Sequence, residues 1–347
     1  MMPVVSVVIP VHNGEATISR TIDSALQQRY GGEVEIVVVN DGSTDETVSI
    51  VDKYRDRYRG RISLLSRATR GGVSAATNTG VRASKGDYVA FLHADDTWMP
   101  EKLARTIPEL ERDPGAVLVY HDANEFDDSE RITKRSHYPK GHTTAATHRD
   151  LLKNRSPSTL ILLTTVVMRR TTFEQCGGFA EELTSAEDLW MWLRASEYGH
   201  FCFVPEVLAS RRFELTTHRE QWYVEGVRCF EVRVRERYGA AACGNYLATM
   251  LVCFGLVAMA RGERQRARTH YLAALRCNPA SLKTWVRLAW SAAPDAVTGT
   301  LSRVLSEAWL RSLNGPPSSG VFSFDIESNF ARKSPGSETR ALAKGPE

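Results

Sequence analysis

Five short apolar runs, each separated from the next by a stretch with a helical pattern, fill the first third of the chain. The runs are rich in Val and Ile and occupy residues 4–9, 34–39, 62–65, 88–92 and 117–120. Strands that alternate with helices form parallel sheets, because each crossover helix returns the chain to the edge from which it started. The sequence therefore predicts an α/β domain built on a mostly parallel sheet that is flanked by helices.

The helical stretches between these runs carry signals of their own. Ile18, Ile22 and Leu26 recur at a spacing of four residues, which places them on one face of a helix. Ser43 and Glu46 have the spacing of a capping box, which predicts that the next helix begins directly after Ser43.

Polar residues follow three of the predicted strands directly. They are His12 with Asn13, Asn40 with Asp41, and the group His93, Ala94, Asp95 and Asp96. Ligands of open parallel sheets bind beyond the carboxyl ends of the strands. The three polar groups therefore predict a binding site at one edge of the sheet, before any family is considered.

The rest of the chain changes character along its length. Residues 121–158 are polar and without periodicity, which is typical of a loop region over a binding site. From about residue 223 the pattern is wholly helical, and we interpret residues 223–313 as a small all-α annex to a domain at residues 1–222. Residues 314–347 are rich in Pro, Gly, Ser and charge, which predicts a disordered tail.

Residues 248–281 of the annex resemble one tetratricopeptide unit. The matching positions are Gly255, Ala258, Ala267, Tyr271, Ala274 and Pro279, with Gly262 at the turn between the two helices. One such unit cannot bury its own apolar face, so it needs a neighbour to pack against. The Arg-rich run from Arg261 to Arg268 is either the charged outer face of this unit or a site of peripheral contact with an anionic membrane or polymer.

Composition excludes several classes of protein. Lys and Arg total 44 against 41 for Asp and Glu, and the net charge of +3 gives no bias towards nucleic acid. The six cysteines form no C-x-x-C pair, which favours reduced thiols in a cytoplasmic protein over a disulfide framework or a zinc site. No G-x-G-x-x-G follows the first strand and no G-x-x-x-x-G-K-[ST] occurs, which disfavours nicotinamide oxidoreductases and P-loop enzymes.

Five motifs, taken together and in this order, resemble the family 2 inverting glycosyltransferases. They are residues 10–15 (PVHNGE), 39–45 (VNDGSTD), 78–80 (NTG), 86–96 (GDYVAFLHADD) and 187–188 (ED), within a resemblance that covers roughly residues 3–215. The resemblance implies the fold of the A-type nucleotide-diphospho-sugar transferases. It also implies a nucleotide-diphospho-sugar donor, commonly UDP-linked, and Mn²⁺ or Mg²⁺ as cofactor.

The same resemblance implies roles for single residues. The nucleotide pocket would be formed by Pro10, His12, Asn13, Glu15, Asp41, His93, Ala94 and Asp95. Within it, Asp41 would accept a hydrogen bond from the base, and Asp95 would hold the metal that bridges the diphosphate. Asp188 would be the general base that takes the acceptor's proton, and Glu187 would orient it or the acceptor. His218 is a second candidate metal ligand.

Two positions depart from the family pattern. His93 stands where the metal motif usually begins with Asp, so it is a ribose contact, a supplementary ligand or a neutral substitute. Thr77 stands where many relatives carry Arg, which puts one expected diphosphate contact in question. These departures leave an alternative function, a catalytically inactive sugar-nucleotide or polymer-binding module on a helical-repeat scaffold. Trp190 and Trp192 are interpreted as core residues rather than as platforms for a sugar.

The expected partners are a nucleotide-sugar donor and a saccharide or lipid-linked acceptor, without nucleic acid. We expect a cytoplasmic location, either free or at the inner face of the membrane. Family analogy alone adds a place in surface polysaccharide synthesis.

Overall fold

The computed structural model describes residues 2–126, 131–135, 138, 161–183, 186–212, 232–239, 248, 251–252, 255, 258–259 and 262–292. The chain divides into two compact units, residues 1–247 and 248–347. This division comes after the predicted boundary at residue 222, because a short helix at residues 232–238 belongs to the first unit. Arg237 of that helix forms an ion pair of 2.7 Å with Glu197 of the same unit.

The first unit contains nine strands among the described residues, all in one sheet. They are β1 (Val5–Val11), β2 (Val34–Asn40), β3 (Ile62–Ser66), β4 (Tyr88–Phe91), β5 (Thr97–Trp98), β6 (Ala116–Phe126), β7 (Ile132–Lys134), β8 (Val167–Arg169) and β9 (His200–Arg212). The helices of this unit are α1 (Ile18–Leu26), α2 (Thr47–Arg57), α3 (Gly72–Ala83), α4 (Lys102–Arg112), α5 (Arg170–Gln175), α6 (Glu187–Ala195) and α7 (residues 232–238).

The strand order is β3-β2-β1-β4-β8-β6-β9-β5, and β7 pairs with β6. Strands β1 to β4 run parallel to one another, as the sequence predicts. Strand β8 lies antiparallel between β4 and β6, whereas β6 and β9 are again parallel. The predicted α/β fold with a sheet flanked by helices is confirmed, and the antiparallel strands are confined to its second half.

Helices cover both faces of the central strands, which explains why these strands are apolar throughout. All seven residues of β1 are buried. On one face α1 buries Ile18 and Ile22, as their spacing predicts. On the other face α3 packs so closely that a Cβ on Gly80 would lie 2.5 Å from Val8 Cγ1 and 2.9 Å from Val39 Cγ2. The glycine of the 78–80 motif is therefore required by contact between helix and sheet.

The predicted capping box of Ser43 and Glu46 is wrong. Helix α2 begins at Thr47, whose N–H donates to Asp45 Oδ1 at 3.1 Å. The Ser43 hydroxyl instead accepts a hydrogen bond from Asn13 N at 2.9 Å. The residues after β2 form a turn held to the neighbouring loop, because that contact satisfies Ser43 before the helix starts.

The second unit contains α8 (Arg264–Cys277) and α9 (Leu282–Ala292). Ala258, Ala267 and Tyr271 form a small buried cluster within it. Gly262 takes a φ of +76° in the turn before α8, which suits glycine. The tetratricopeptide assignment stays a prediction, and the tail at residues 314–347 lies outside the described residues.

One arginine of the Arg-rich run supports this helix pair. Arg268 donates two hydrogen bonds, of 3.0 and 2.8 Å, to the carbonyl oxygen of Ser291 in α9. At least this member of the run therefore holds the unit together. Across the described part of the chain, no helix combines the length and the apolar character needed to cross a bilayer.

Candidate functional site

A cleft of about 470 Å³ opens at the carboxyl ends of β1 and β2. It is lined by Pro10, Val11, His12, Asp41, residues 70–74, Ala76, Glu181 and Leu183. The position is the one expected for ligands of open α/β sheets. The structure therefore brings together three of the predicted pocket residues, Pro10, His12 and Asp41.

Asp41 is buried, and its carboxylate holds the loop between β3 and α3. Oδ1 accepts a hydrogen bond from Gly71 N at 2.9 Å, and Oδ2 accepts one from Gly72 N at 2.7 Å. Arg67 Nε lies 3.0 Å from Oδ1 and completes an ion pair. Asp41 thus fixes one wall of the cleft. The predicted hydrogen bond between Asp41 and the base of a nucleotide stays a prediction.

The backbone of Asp41 also orients His12. Its Nδ1 lies 2.9 Å from the carbonyl oxygen of Asp41. A carbonyl oxygen only accepts hydrogen bonds, so Nδ1 carries the proton, and in the neutral ring Nε2 is an acceptor. His12 therefore brings an acceptor nitrogen to the cleft wall.

Asn13 and Glu15 bind the loop after β2 and do not line the cleft. Asn13 Oδ1 accepts a hydrogen bond from Thr44 N at 2.8 Å, and Glu15 Oε2 accepts one from Glu46 N at 3.0 Å. In return, Glu15 N donates to Asp45 Oδ2 at 3.0 Å. Asn13 also has a φ of +52°, an uncommon conformation that these contacts hold in place. A direct role for either side chain in ligand binding stays a prediction.

An acidic cluster follows β4, the parallel neighbour of β1. One ligand atom from each of His93, Asp95 and Asp96 lies within 4.8 Å of the other two. The loop that carries them is held by α1, because Thr21 Oγ1 lies 2.9 Å from the carbonyl oxygen of Ala94. Two carboxylates and an imidazole form a donor set that fits a divalent cation such as Mn²⁺.

Asp96 is the member of this cluster for which no separate role was predicted. It is only 1% exposed, and burial and the charge of Asp95 raise its pKa to about 7. Its Oδ1 accepts a hydrogen bond from Arg212 N at 2.9 Å. Its Oδ2 lies 3.8 Å from His93 Nδ1. This buried carboxylate oxygen, beside the imidazole, is suited to face a cation.

A buried amine lies behind Asp96. Lys102 Nζ donates to the carbonyl oxygen of Thr164 at 2.7 Å and lies 3.6 Å from the centre of the Trp98 ring. Burial lowers the pKa of Lys102 well below its usual value, and the charge of Asp96 opposes that shift. When the Lys102 amine is protonated, it therefore adds positive potential behind the carboxylate of Asp96.

Glu187 and Asp188 form the first turn of α6, directly after Ala186, which has a φ of +62°. Burial and then the charge of Asp188 raise the pKa of Glu187 to about 8. Burial also raises the pKa of Asp188, but Leu189 N and the charges of His93 and Arg211 oppose the rise. The charges of His93 and Arg211 thus favour the ionised form of Asp188, while burial and the charge of Asp188 favour the protonated form of Glu187.

Glu187→Gln is expected to change how stability depends on pH. The folded-state pKa of Glu187 lies above the ordinary value, so its contribution is fully present at low pH and is lost as pH rises through about 8. Gln has no proton to lose. As pH rises from about 4.5 to about 8, the variant should therefore become more stable relative to the parent, by at most about 1.4 kcal/mol of unfolding free energy per pH unit.

Urea unfolding at several pH values measures this difference. Glu174→Gln, at an exposed position, is the matched control and should show a pH dependence parallel to that of the parent. Parallel curves for Glu187→Gln as well would mean that Glu187 is not held in its protonated form.

Asn78 fastens the segment before α6 to α3. Its Nδ2 donates to the carbonyl oxygen of Phe179 and to Glu181 Oε1, both at 2.9 Å, and its Oδ1 accepts a hydrogen bond from Phe179 N at 2.8 Å. Thr77 is buried and donates to the carbonyl oxygen of Val73 at 2.7 Å. The 78–80 motif therefore shapes the cleft wall from behind.

Arg70 is the one guanidinium among the described residues that line the cleft. It is exposed and lies beside Gly71 and Gly72, whose N–H groups bind Asp41. No role was predicted for it from sequence. It lies directly before α3, and helix N-termini commonly bind anions.

The interpretation of Trp192 as a core residue is confirmed. The side chain is 2% exposed, and its Nε1 donates to the carbonyl oxygen of Ile161 at 3.0 Å. Trp190 is 9% exposed and packs against Tyr238 of α7, with ring centres 6.2 Å apart. His218, the second candidate metal ligand, lies outside the described residues.

Comparison with known proteins supports one family. The family model described as "Glycosyl transferase family 2" matches residues 6–176. The uncharacterized protein MT1568 of Mycobacterium tuberculosis is 31% identical over 228 residues, which are 62% of this chain and 69% of that protein. An uncharacterized glycosyltransferase of Rickettsia prowazekii, RP339, is 33% identical over 215 residues, which are 60% of this chain and 64% of the relative. The chain thus matches about two thirds of the length of these relatives.

Two solved structures share the fold. Residues 1–349 of S. aureus TarS, in complex with UDP-GlcNAc, give a TM-score of 0.58 at 21% identity, covering 79% of this chain and 81% of that one. The mannosyltransferase PcManGT from Pyrobaculum calidifontis, in complex with GDP-Man and Mn²⁺, gives 0.54 at 19% identity, covering 86% and 81%. These likenesses confirm the predicted transferase fold.

Proposed function

Because the chain belongs to glycosyl transferase family 2, we propose that it moves a sugar from a nucleotide-diphospho-sugar to a saccharide or lipid-linked acceptor with inversion. One observation carries this proposal. The cleft and the acidic cluster follow neighbouring strands, and the cluster's His93 interacts electrostatically with the carboxylate of Asp188. The cleft, the acidic cluster and Asp188 therefore lie at one edge of the sheet, which supports a shared site for a nucleotide, a cation and a base.

The donor's nucleoside is assigned to the cleft. His12 brings an acceptor nitrogen there, and Asp41 fixes the wall formed by the loop before α3. The UDP-GlcNAc complex of TarS supports a UDP-linked donor, and the GDP-Man complex of PcManGT makes guanosine the competing base. Arg70 is assigned to the diphosphate, because a guanidinium forms charge-assisted hydrogen bonds with phosphate oxygens.

Asp95, with His93 and Asp96, would hold Mn²⁺ or Mg²⁺. Such a cation would supply charge neutralisation for the diphosphate leaving group. The Mn²⁺ in the PcManGT complex supports this assignment. The protein's own contribution is the buried position of Asp96, whose link to Arg212 N fixes the cluster against β9.

Asp188 is assigned as the general base. In an inverting transfer the acceptor oxygen bonds to the anomeric carbon while the bond from that carbon to the diphosphate oxygen breaks. The acceptor's proton would pass to Asp188, whose ionised form is favoured by the charges of His93 and Arg211. One base is sufficient, because no covalent sugar–enzyme intermediate forms.

A panel of nucleotide-sugars tests the proposal. An active transferase is expected to be stabilised against heat by its donor with Mn²⁺ and to hydrolyse that donor slowly without an acceptor. The alternative, an inactive binding module, would be stabilised without consuming the donor. Stabilisation by none of the UDP- or GDP-sugars would contradict both functions.

Arg70→Ala is expected to weaken the binding of UDP by about tenfold or more, because hydrogen bonds to charged groups contribute about 1.5–3 kcal/mol. Calorimetry with UDP and with uridine separates phosphate contact from nucleoside contact, since only UDP binding should weaken. Arg59→Ala, an exposed arginine in the turn after α2, is the control of equal charge. An equal loss for uridine would assign Arg70 to the nucleoside instead.

A further inference from the structure

A second group of metal-ligating side chains lies at the other end of the sheet. Asp113 follows α4, and His200 and Cys202 open β9, with one ligand atom from each within 4.8 Å of the other two. His200 pairs with Ala116 at the first residue of β6, whereas Arg212, at the last residue of β9, contacts the acidic cluster. A strand of this length separates the two groups by roughly 35 Å.

Hydrogen bonds already orient two members of this group. His200 Nε2 lies 2.8 Å from Asp113 Oδ2, and Asp113 Oδ1 accepts a hydrogen bond from Gly115 N at 3.0 Å. Cys202 follows His200 by two residues, so both side chains project from the same face of β9. The turn before β6 and the first residues of β9 thus present a carboxylate, an imidazole and a thiol together.

Two glycines bring the turns that carry these residues into contact. A Cβ on Gly115 would lie 3.1 Å from His200 Cε1, and a Cβ on Gly199 would collide with the carbonyl oxygen of Gly115. A larger residue at position 115 would crowd the imidazole, and one at position 199 would displace the backbone of Gly115. The close approach of the two turns therefore depends on both glycines.

We propose that Asp113, His200 and Cys202 form a second metal site, suited to Zn²⁺. Zinc takes thiolate, imidazole and carboxylate ligands, whereas Mg²⁺ and Mn²⁺ favour oxygen. Tetrahedral coordination leaves a fourth position, which a water molecule would fill. The acidic cluster near the cleft contains no sulfur ligand, so it prefers different metal ions.

The site joins two connections of the first unit, the one between α4 and β6 and the one between α6 and β9. Helix α6 carries Glu187 and Asp188, so a metal here would stabilise the far end of the element that presents them. A zinc site was disfavoured from sequence because the cysteines form no C-x-x-C pair. The proposed ligands are dispersed along the chain and meet only through the parallel pairing of β6 and β9.

Cobalt titration of the full-length protein tests this site, because Co²⁺ replaces Zn²⁺ and gives a thiolate charge-transfer band when sulfur coordinates it. We expect one equivalent of Co²⁺ to produce the band and Zn²⁺ to remove it. Cys202→Ser should abolish the band, and Cys176→Ser, another free cysteine, should keep it. Asp95→Asn should also keep it, since that variant alters only the other cluster.

A second readout covers the case in which a variant is unstable. Zn²⁺ should raise the melting temperature of the parent protein, and His200→Gln should weaken zinc binding on the order of a hundredfold. Circular dichroism establishes that each variant is folded. The proposal is overturned if the parent gives no thiolate band with Co²⁺, or if Cys202→Ser retains the band.

Discussion

Asp95→Asn is expected to abolish the metal dependence of nucleotide binding and to reduce sugar transfer on the order of a hundredfold or more. The amide keeps the shape of the side chain but removes the negative charge and one anionic ligand. Asp96 supplies no second replacement oxygen, because its Oδ1 already binds Arg212 N and only Oδ2 is left for the cation. The half-buried Asp95 is the carboxylate of the cluster that remains accessible to a bound diphosphate.

Calorimetry with UDP, in the presence and absence of Mn²⁺, measures the first effect, and turnover measures the second. His93→Asp is the matched variant within the same cluster. It should keep or raise activity, because a carboxylate is a harder ligand than an imidazole. If Asp95→Asn binds UDP with unchanged affinity and unchanged metal dependence, Asp95 is not a metal ligand.

Asp188→Asn is expected to reduce turnover by about a hundredfold to ten-thousandfold while donor affinity stays unchanged. The substitution is nearly isosteric and removes only the ability to take a proton. Burial raises the pKa of both carboxyl groups, and that of Glu187 reaches about 8. The charges of His93 and Arg211 oppose the rise at Asp188, which supports Asp188 rather than Glu187 in this role.

Glu187→Gln is the comparison for this prediction, and its effect on turnover should be milder. Gln preserves the neutral, hydrogen-bonding character that a protonated Glu187 has at neutral pH. Transfer rate, donor affinity and the anomeric configuration of the product are measured for both variants. Transfer by Asp188→Asn at the parental rate, with the same product anomer, would show that another group takes the proton.

The strands that a sequence reveals are those buried on both faces. Strands β1 and β2 are almost wholly buried, so they form continuous apolar runs, and their observed bounds lie within two residues of the predicted ones. Strand β9 was missed because its burial is irregular and it contains Pro205 and Glu206. Its pairing with β6 also shifts register three times, which removes the two-residue period that identifies a strand.

The candidate site could be predicted only in part, because sequence motifs locate loops but not the contacts that their side chains make. Motifs locate the loops at the strand ends, so His93 and Asp95 were expected near one another. They do not give the direction of a side chain, and Asn13 and Glu15 bind the neighbouring loop rather than lining the cleft. Arg70 and the buried oxygen of Asp96 depend on contacts made only after folding, and no local pattern specifies them.

The reciprocal contacts between the loops after β1 and β2 also constrain which substitutions the chain can accept during evolution. Thr44 and Glu46 take part through backbone N–H groups, so almost any residue except proline preserves those two bonds. Ser43 and Asp45 take part through side-chain oxygens, and only short polar residues can replace them. Among homologues we therefore expect positions 44 and 46 to vary more than positions 43 and 45. We also expect changes at position 13 to be accompanied by changes in the facing loop.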